Sequence, residues 1–187
     1  MKRLLTLALF AVLLLPAVAQ ELTVATYNIR NANKGDAERG NGWERRCPWV
    51  CGLIEFQGFD IFGSQEVLDG QLHDMLAQLP DYAYIGVGRD DGKEAGEYCP
   101  IFFRTDRFTL VEYGNFSLSE QPETIGIKGW DASYNRVTTW AILQEKNNGQ
   151  KFVYFNTHLD NDGKTARKEG VQLILDKIKE IAPDMPC

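Results

Sequence analysis

The segment FVYFNTHLD, residues 152–160, joins an apolar run to an abrupt polar ending. The run from Phe152 to Phe155 is aromatic and β-branched, a composition that favours a β-strand. Because consecutive residues of a strand point to opposite faces, an unbroken apolar run indicates cover on both faces. The polar group that follows contains His158, whose side chain titrates near neutral pH. The segment therefore predicts a central, buried strand that delivers an imidazole to one edge of a sheet.

The rest of the chain alternates strands with a few helices. Strands are predicted for six other segments with strand-like composition: residues 22–30, 59–67, 82–89, 98–104, 108–116 and 136–145. Apolar periodicity predicts helices over residues 43–56, 68–79 and 165–181, with Pro48 in the first turn of its helix or at a kink, and a loop over residues 31–41. This order predicts an α/β fold, in detail an α+β mixed sheet with flanking helices.

Several strands are apolar at consecutive positions, so both faces of the predicted sheet need cover. The runs IFF at residues 101–103 and WAIL at residues 140–143 share this pattern with the segment at 152–155. The predicted helices can cover one face of the sheet. We therefore expect the other face to remain an exposed apolar surface.

The first residues have the pattern of an export signal. Two cations precede an apolar run from Leu4 to Leu15, and Ala17-Val18-Ala19 provides a small-residue cleavage site. An apolar run of about 12 residues is too short to cross about 30 Å of hydrocarbon. We expect residues 1–19 to be a cleaved signal peptide, residues 20–187 to form the domain, and the protein to be periplasmic or extracellular without a transmembrane anchor.

The chain is acidic. The formal charge is −6 at pH 7, and it becomes −8 when the predicted signal peptide takes away Lys2 and Arg3. Nonspecific binding to nucleic acid depends largely on Lys and Arg, so this charge favours a small or neutral-flanked phosphoester over a long polynucleotide.

Four cysteines enter an oxidising compartment if the protein is exported. Cys47 and Cys51 are four residues apart, a spacing that places both on one helix face and raises the question of a metal or a disulfide. With only two histidines in the chain and no second close cysteine pair, a structural zinc site is disfavoured. Buried free thiols are favoured over any one disulfide.

Five strand ends carry polar side chains whose chemistry is complementary. Asn28 and Glu66 offer the hard oxygen ligands that Mg²⁺ accepts together with water and phosphate oxygens. His158 can exchange a proton, and Glu97 is a candidate to orient its ring. Arg136 has the planar fork that matches a phosphate group. Together they predict a site that hydrolyses a phosphoester by positioning and by charge stabilisation.

The ordered motifs TYNIR, DIFGSQEV, EYCPIFFR, YNRVTTWAIL and FNTHLD resemble the endonuclease/exonuclease/phosphatase superfamily of metal-dependent phosphohydrolases. The resemblance extends from about residue 22 to residue 181. It implies two packed sheets with helices outside, of which this chain corresponds to the first half of a four-layer α/β/β/α sandwich.

The resemblance also implies roles for single residues. Glu66 matches the principal Mg²⁺ ligand, with Mn²⁺ as an alternative ion, and Asn28 matches the amide that supports the metal and phosphate site. His158 matches the catalytic histidine, Glu97 the carboxylate that orients it, and Arg136 a phosphate-contacting arginine. A further helix arginine, Arg167, resembles a branch-specific residue without an assigned role.

The family pattern continues with GDFN and SDH motifs, which do not follow in this sequence. We therefore expect the chain to be truncated, catalytically inactive by itself and prone to aggregate. For the full-length parent the sequence predicts a Mg²⁺-dependent phosphodiesterase or phosphatase that acts on a small molecule or lipid headgroup. Two alternatives stay open: an exported endonuclease or exonuclease that acts on nucleic acid, and a noncatalytic secreted binding module. None of these requires a stable protein partner.

Overall fold

The computed structural model describes residues 21–187, and the predicted signal peptide lies outside this range. Its strands are β1 Val24–Asn28, β2 Ile61–Gln65, β3 Tyr82–Ile85, β4 Ile101–Arg104, β5 Phe108–Ser117, β6 Val137–Glu145 and β7 Lys151–Thr157. Its helices are α1 Lys34–Glu38, α2 Trp43–Gln57, α3 Asp69–Gln78 and α4 Lys164–Ile181. The predicted mixture of helix and strand, an α/β fold, is confirmed.

The first four strands form a mixed sheet in the order β1-β2-β4-β3. Strands β1 and β2 are parallel, and the other pairs are antiparallel. The connection from β1 to β2 passes through α1 and α2, as a parallel pair requires a crossover. Parallel pairing brings the ends of β1 and β2, Asn28 and Gln65, directly opposite each other.

The last three strands form a separate antiparallel sheet in the order β5-β6-β7, with a bulge between Leu110 and Glu112. Among the described strands β7 therefore lies at a sheet edge, in contrast to the central position that its apolar run predicts. Phe152 and Phe155 are half-buried, whereas Val153 between them is fully buried. No described strand pairs with the outer edge of β7, and the burial of this strand comes from elements that pack against its faces.

The two sheets face each other, so the expectation of an uncovered sheet face was wrong. An apolar core between them includes Ile61 and Phe103 from the first sheet and Phe108 and Leu143 from the second. After β4 the chain forms a second sheet, and the apolar faces of the two sheets pack against each other. Tyr154 of β7 links the two sheets: its hydroxyl donates to Ala25 O at 2.9 Å and accepts from Gly63 N at 3.1 Å.

Helices cover the outer faces. Ile54 of α2 and Leu72 of α3 pack against Phe62 of the first sheet, and the residues after α4, such as Ala182, pack against Val153 of the second. The order of layers is helices, sheet, sheet, helix. No helix in residues 21–187 combines the length and the apolar composition that a membrane crossing needs.

Local structure departs from the sequence-based expectations in two places. Pro48 lies inside α2, which excludes the first of its two predicted placements, the first turn. The predicted loop at residues 31–41 contains the short helix α1, because the Asn33 side chain caps it by accepting from Asp36 N at 2.9 Å. Arg30 and Arg39 both bind the Asp36 carboxylate, which holds the pKa of that group well below its usual range.

All four cysteines are free thiols in the described range, as predicted, but the prediction that they are buried holds for three of them only. Cys47, Cys51 and Cys99 are buried, and Cys187 is exposed. Burial raises the pKa of the Cys51 and Cys99 thiols to about 12, so both stay protonated at neutral pH.

Candidate active site

The polar strand ends converge on one open cavity of about 390 Å³. Four of the predicted site residues line it, namely Glu66, Glu97, Arg136 and His158. The fifth, Asn28, is bonded to Glu66 through its side chain, Nδ2 to Oε1, at 2.9 Å. Both sheets contribute, because Glu66 follows β2 whereas Arg136 and His158 flank β6 and β7. The cavity is therefore built by the packing of the two sheets. Its remaining lining residues are Asn31, Arg89, Tyr134 and Asn161.

Glu66 has an unusual backbone conformation. Its φ is 60°, in the left-handed region that non-glycine residues rarely adopt and that costs about 1–3 kcal/mol. Asn28 Nδ2 and the backbone N–H of Asn31 each donate to one of its carboxylate oxygens, at 2.9 and 3.3 Å. Strain of this kind clusters at functional sites, where surrounding contacts hold a side chain in place. Here it directs the carboxylate towards the cavity.

Asn28 supports Glu66 instead of offering its own oxygen. Its Oδ1 accepts from the backbone N–H of Arg30 at 2.9 Å, and its Nδ2 faces the carboxylate. The sequence predicts both residues as metal ligands, whereas these contacts leave Glu66 as the ligand candidate and make Asn28 its orienting donor.

His158 is half-buried, and its Nδ1 is fully buried without a hydrogen-bond partner. Burial lowers the pKa of His158, and the positive charge of Arg136 lowers it further, while Glu66 and Glu97 oppose the shift. The ring is therefore neutral at neutral pH. A neutral imidazole that faces a solvent-filled cavity can accept a proton from water.

Glu97 lies in the cavity, but its hydrogen bonds differ from those predicted. Its Oε1 accepts from Asn31 Nδ2 at 2.7 Å and its Oε2 accepts from Arg89 Nη1 at 2.5 Å. No hydrogen bond joins Glu97 to His158 in the described part of the chain. Both carboxylate oxygens are engaged by Asn31 and Arg89, so Glu97 acts on His158 through its charge.

Arg136 is buried, and two of its nitrogens donate hydrogen bonds to other side chains. Its Nε donates to Asp160 Oδ2 at 3.2 Å and its Nη2 donates to Asn161 Oδ1 at 3.1 Å. The guanidinium carbon lies 5.6 Å from the centre of the Tyr134 ring. The position of this cation is thus fixed by a carboxylate, an amide and an aromatic ring.

Asp160 organises the loop that carries Tyr134. Its buried carboxylate accepts from the backbone N–H groups of Ser133, Tyr134 and Gly163 at 3.1, 3.2 and 2.8 Å. Burial alone would raise the pKa of Asp160, but these donors outweigh burial and hold it well below its usual range. Arg167 binds the same residue, donating from Nη1 to its backbone oxygen at 2.9 Å.

Arg89, Asn31 and Tyr134 were not among the predicted site residues. Arg89 closes the strand-like segment 82–89, so the rule that selected the other polar strand ends applies to it as well. Asn31 and Tyr134 lie in loops, and their contacts depend on tertiary packing that composition does not encode.

Two buried side-chain polar atoms have no hydrogen-bond partner in residues 21–187, Arg89 Nε and His158 Nδ1. Buried polar groups in native proteins are nearly always satisfied, and exceptions point to water, a ligand or a catalytic role. Both residues line the same cavity. The coincidence makes this cavity the candidate functional site.

The donor set fits a hard ion with few protein ligands. No group of three or more His, Cys, Asp or Glu side chains suited to a metal ion is present in the described part of the chain. A zinc centre usually takes three or four ligands from Cys, His, Asp and Glu side chains, so the described residues of this cavity do not fit one. Glu66 offers a carboxylate there without a cationic partner, and Mg²⁺ is commonly bound by one or two carboxylates with water and substrate oxygens. The residues present are compatible with Mg²⁺ at Glu66.

The architecture is a two-sheet α/β sandwich with a polar site at its strand ends, and the same architecture occurs in known structures. The mannosyl-6-phosphatase of Bacteroides thetaiotaomicron is similar over 88% of this chain and 62% of its own, with 48% identity and a TM-score of 0.85. An endonuclease/exonuclease/phosphatase family protein of the same organism is 50% identical over 86% of this chain and 59% of its own, with a TM-score of 0.84.

Identity and fold together place the chain in the endonuclease/exonuclease/phosphatase family, as its motifs predict. The chain spans about 60% of the length of these two structures. TDP2 of D. rerio, complexed with a single-strand DNA product, shares the fold at 16% identity with a TM-score of 0.68. No protein-family model and no curated protein matches the chain.

Proposed function

We propose that the full-length protein to which this chain belongs is a phosphoester hydrolase that acts on a small phosphomonoester, with a sugar phosphate as the foremost candidate. The observation that carries the proposal is that Glu66, Arg136 and a neutral His158 share one open cavity. The 48% identity to a mannosyl-6-phosphatase supports the choice of a sugar phosphate.

The proposed roles follow from the contacts. His158 accepts the proton of the attacking water, because its neutral state is favoured by burial and by the charge of Arg136. Arg136 binds phosphate oxygens through the part of its fork that Asp160 and Asn161 leave free. Glu97 places a negative charge near His158, which favours the protonated ring once it has taken up the proton.

Glu66 would hold Mg²⁺, or Mn²⁺, and Asn28 would orient the carboxylate. Such an ion supplies charge stabilisation at the phosphate oxygens. The support for this assignment is the strained conformation of Glu66 and the lack of a cationic partner for it in residues 21–187.

The 187-residue chain is proposed to bind substrate without turning it over. It spans 62% of the mannosyl-6-phosphatase, and its cavity has a single candidate metal ligand. We also propose that the protein is exported, on the pattern of residues 1–19. A nuclease is the weaker candidate, because the chain carries a formal charge of −6 and its likeness to the DNA-bound structure extends to the fold alone.

Release of inorganic phosphate from mannose 6-phosphate in the presence of Mg²⁺ tests the proposal. The full-length protein is expected to hydrolyse this substrate, and His158→Ala is expected to abolish turnover with little loss of folding. His73→Ala is the matched control, because His73 is exposed on α3 and does not line the cavity. Full activity in His158→Ala, or cleavage of single-stranded DNA without any phosphomonoesterase activity, would overturn it.

A further inference from the structure

Arg89 is a largely buried cation whose hydrogen bonds are incomplete. Only 14% of its side chain is exposed, and Glu97 accepts from one nitrogen, Nη1. Its Nε is buried without a partner. Leaving a buried donor unsatisfied is costly, so such groups persist where a ligand or water completes them. Arg89 lines the cavity that holds His158, which places the ligand there.

Arg89 and Arg136 are arranged around the same aromatic ring. Their guanidinium carbons lie 5.2 and 5.6 Å from the centre of the Tyr134 ring. Each is held by a carboxylate, Arg89 by Glu97 and Arg136 by Asp160. Planar guanidinium groups that are fixed in this way lose little entropy when they bind an anion.

Two guanidinium groups suit a phosphomonoester better than a phosphodiester. A phosphomonoester carries a charge of about −1.5 to −2 at neutral pH and offers three terminal oxygens. A phosphodiester carries one negative charge and offers two such oxygens. Charge-assisted hydrogen bonds from a second arginine therefore add more to the binding of a phosphomonoester than to the binding of a phosphodiester.

We propose that Arg89 and Arg136 form a two-arginine subsite that selects the dianionic phosphate of a phosphomonoester over a phosphodiester. The proposal rests on the proposed function, because it places the phosphate in the cavity of His158. Glu97 is then a positioning residue: its Oε2 holds Arg89, and Asn31 fixes its Oε1 at 2.7 Å.

The test uses two matched ligands that the protein cannot hydrolyse. One is the methylene phosphonate analogue of mannose 6-phosphate, a dianion at pH 8, and the other is its monomethyl ester, a monoanion. Calorimetric titration of each into the 187-residue chain with Mg²⁺ gives both affinities. We expect the chain to bind the dianion about tenfold more tightly, a preference that one charge-assisted hydrogen bond can supply.

Arg89→Gln should lose about tenfold of its affinity for the dianion and less than about twofold for the monomethyl ester. Arg89→Lys keeps a cation opposite Glu97 and so protects folding, but it lacks the fork and should lose part of the selectivity. Glu97→Gln by itself should lower the preference for the dianion. The double variant Arg89→Gln/Glu97→Gln should bind the two ligands like Arg89→Gln. Arg104→Gln is the control, because Arg104 pairs with Asp106 on the surface outside the cavity.

The outcomes separate the subsite from the proposed function. If the unmodified chain binds both ligands and Arg89→Lys and Arg89→Gln keep its selectivity, the subsite is wrong and the proposed function stands. If the unmodified chain binds neither ligand, both are wrong. A preference for the monomethyl ester also overturns the subsite.

Discussion

Asn28 and Glu66 are 38 residues apart in sequence and are joined by a 2.9 Å hydrogen bond from Nδ2 to Oε1. The contact exists because β1 and β2 are adjacent and parallel, so their ends meet at one edge of the first sheet. It holds Glu66 in its left-handed conformation, with the carboxylate towards the cavity. This pair is the point at which the fold creates the proposed metal position.

Asn28→Ala removes the donor and leaves Glu66 free to relax. We expect the free energy of unfolding to fall by about 0.5–1.5 kcal/mol, the net value of one hydrogen bond, and Mg²⁺ affinity to fall by about 10–100-fold. Urea denaturation and calorimetric Mg²⁺ titration measure the two effects. Asn148→Ala, in the loop before β7, is the control. Unchanged Mg²⁺ affinity in Asn28→Ala would contradict the role of the pair.

His158 should titrate below the value of about 6.5 that is usual for histidine. Glu66 raises the pKa of His158, so Glu66→Gln, which removes that charge, should lower it further. Ring proton signals followed by NMR against pH give the values directly, since the chain has only two histidines and His73→Gln assigns them. A His158 pKa above 6.5 would show that burial does not keep the ring neutral, and an increase in Glu66→Gln would contradict the charge effect of Glu66.

Asp160→Asn should destabilise the protein by about 3–5 kcal/mol, because it leaves the buried Arg136 without its anion. The pKa of Asp160 is lower in the folded protein than in the unfolded chain. Its stabilising effect is therefore present above about pH 4 and is lost as the pH falls through the folded-state pKa. Urea denaturation from pH 7 to pH 3 should show a shallower acid loss in Asp160→Asn than in the unmodified protein. Asp106→Asn, on the surface, is the control, and equal stability of the two variants would refute the account.

Gly63→Ala tests the packing that brings β7 to the first sheet. A Cβ at this position would lie 2.5 Å from Cγ and Oδ1 of Asn156, a buried side chain that donates to Ser64 O and Pro100 O at 2.7 and 2.8 Å. We expect a loss of at least about 2 kcal/mol in unfolding free energy. Gly52→Ala, in α2 with open space around it, should instead stabilise the protein by about 0.5–1 kcal/mol. Similar effects of the two substitutions in thermal denaturation would be inconsistent with close packing at Asn156.

Most secondary structure follows from local sequence. The helix predicted over residues 43–56 is α2, Trp43–Gln57, and the strand predicted over residues 136–145 is β6, Val137–Glu145. Periodicity and turn residues suffice for such elements. The division of the strands into two facing sheets was not predictable from residue patterns, because consecutive apolar residues show that cover is needed but not what supplies it. The family resemblance implied that arrangement.

The candidate site likewise has a part that local sequence predicts and a part that depends on tertiary packing. Glu66 and His158 were predicted because polar residues that end apolar strands meet at sheet edges, and they line one cavity. The partners of Glu97 were not predictable: Arg89 and Asn31 reach its oxygens only when β1, β2, β4 and β3 assemble into the first sheet. Local sequence thus selects residue types at strand ends, whereas tertiary packing decides which of them bond.

The central claim is that the cavity lined by His158, Glu66 and the two arginines binds a phosphomonoester. NMR titration of the 187-residue chain with mannose 6-phosphate and Mg²⁺ tests it most directly. The account predicts saturable shifts of the His158 ring signals and the Arg89 side-chain signals, with His73 and Arg104 unchanged. Saturable shifts at His73 or Arg104 with His158 and Arg89 unmoved, or no shifts at all, would contradict it.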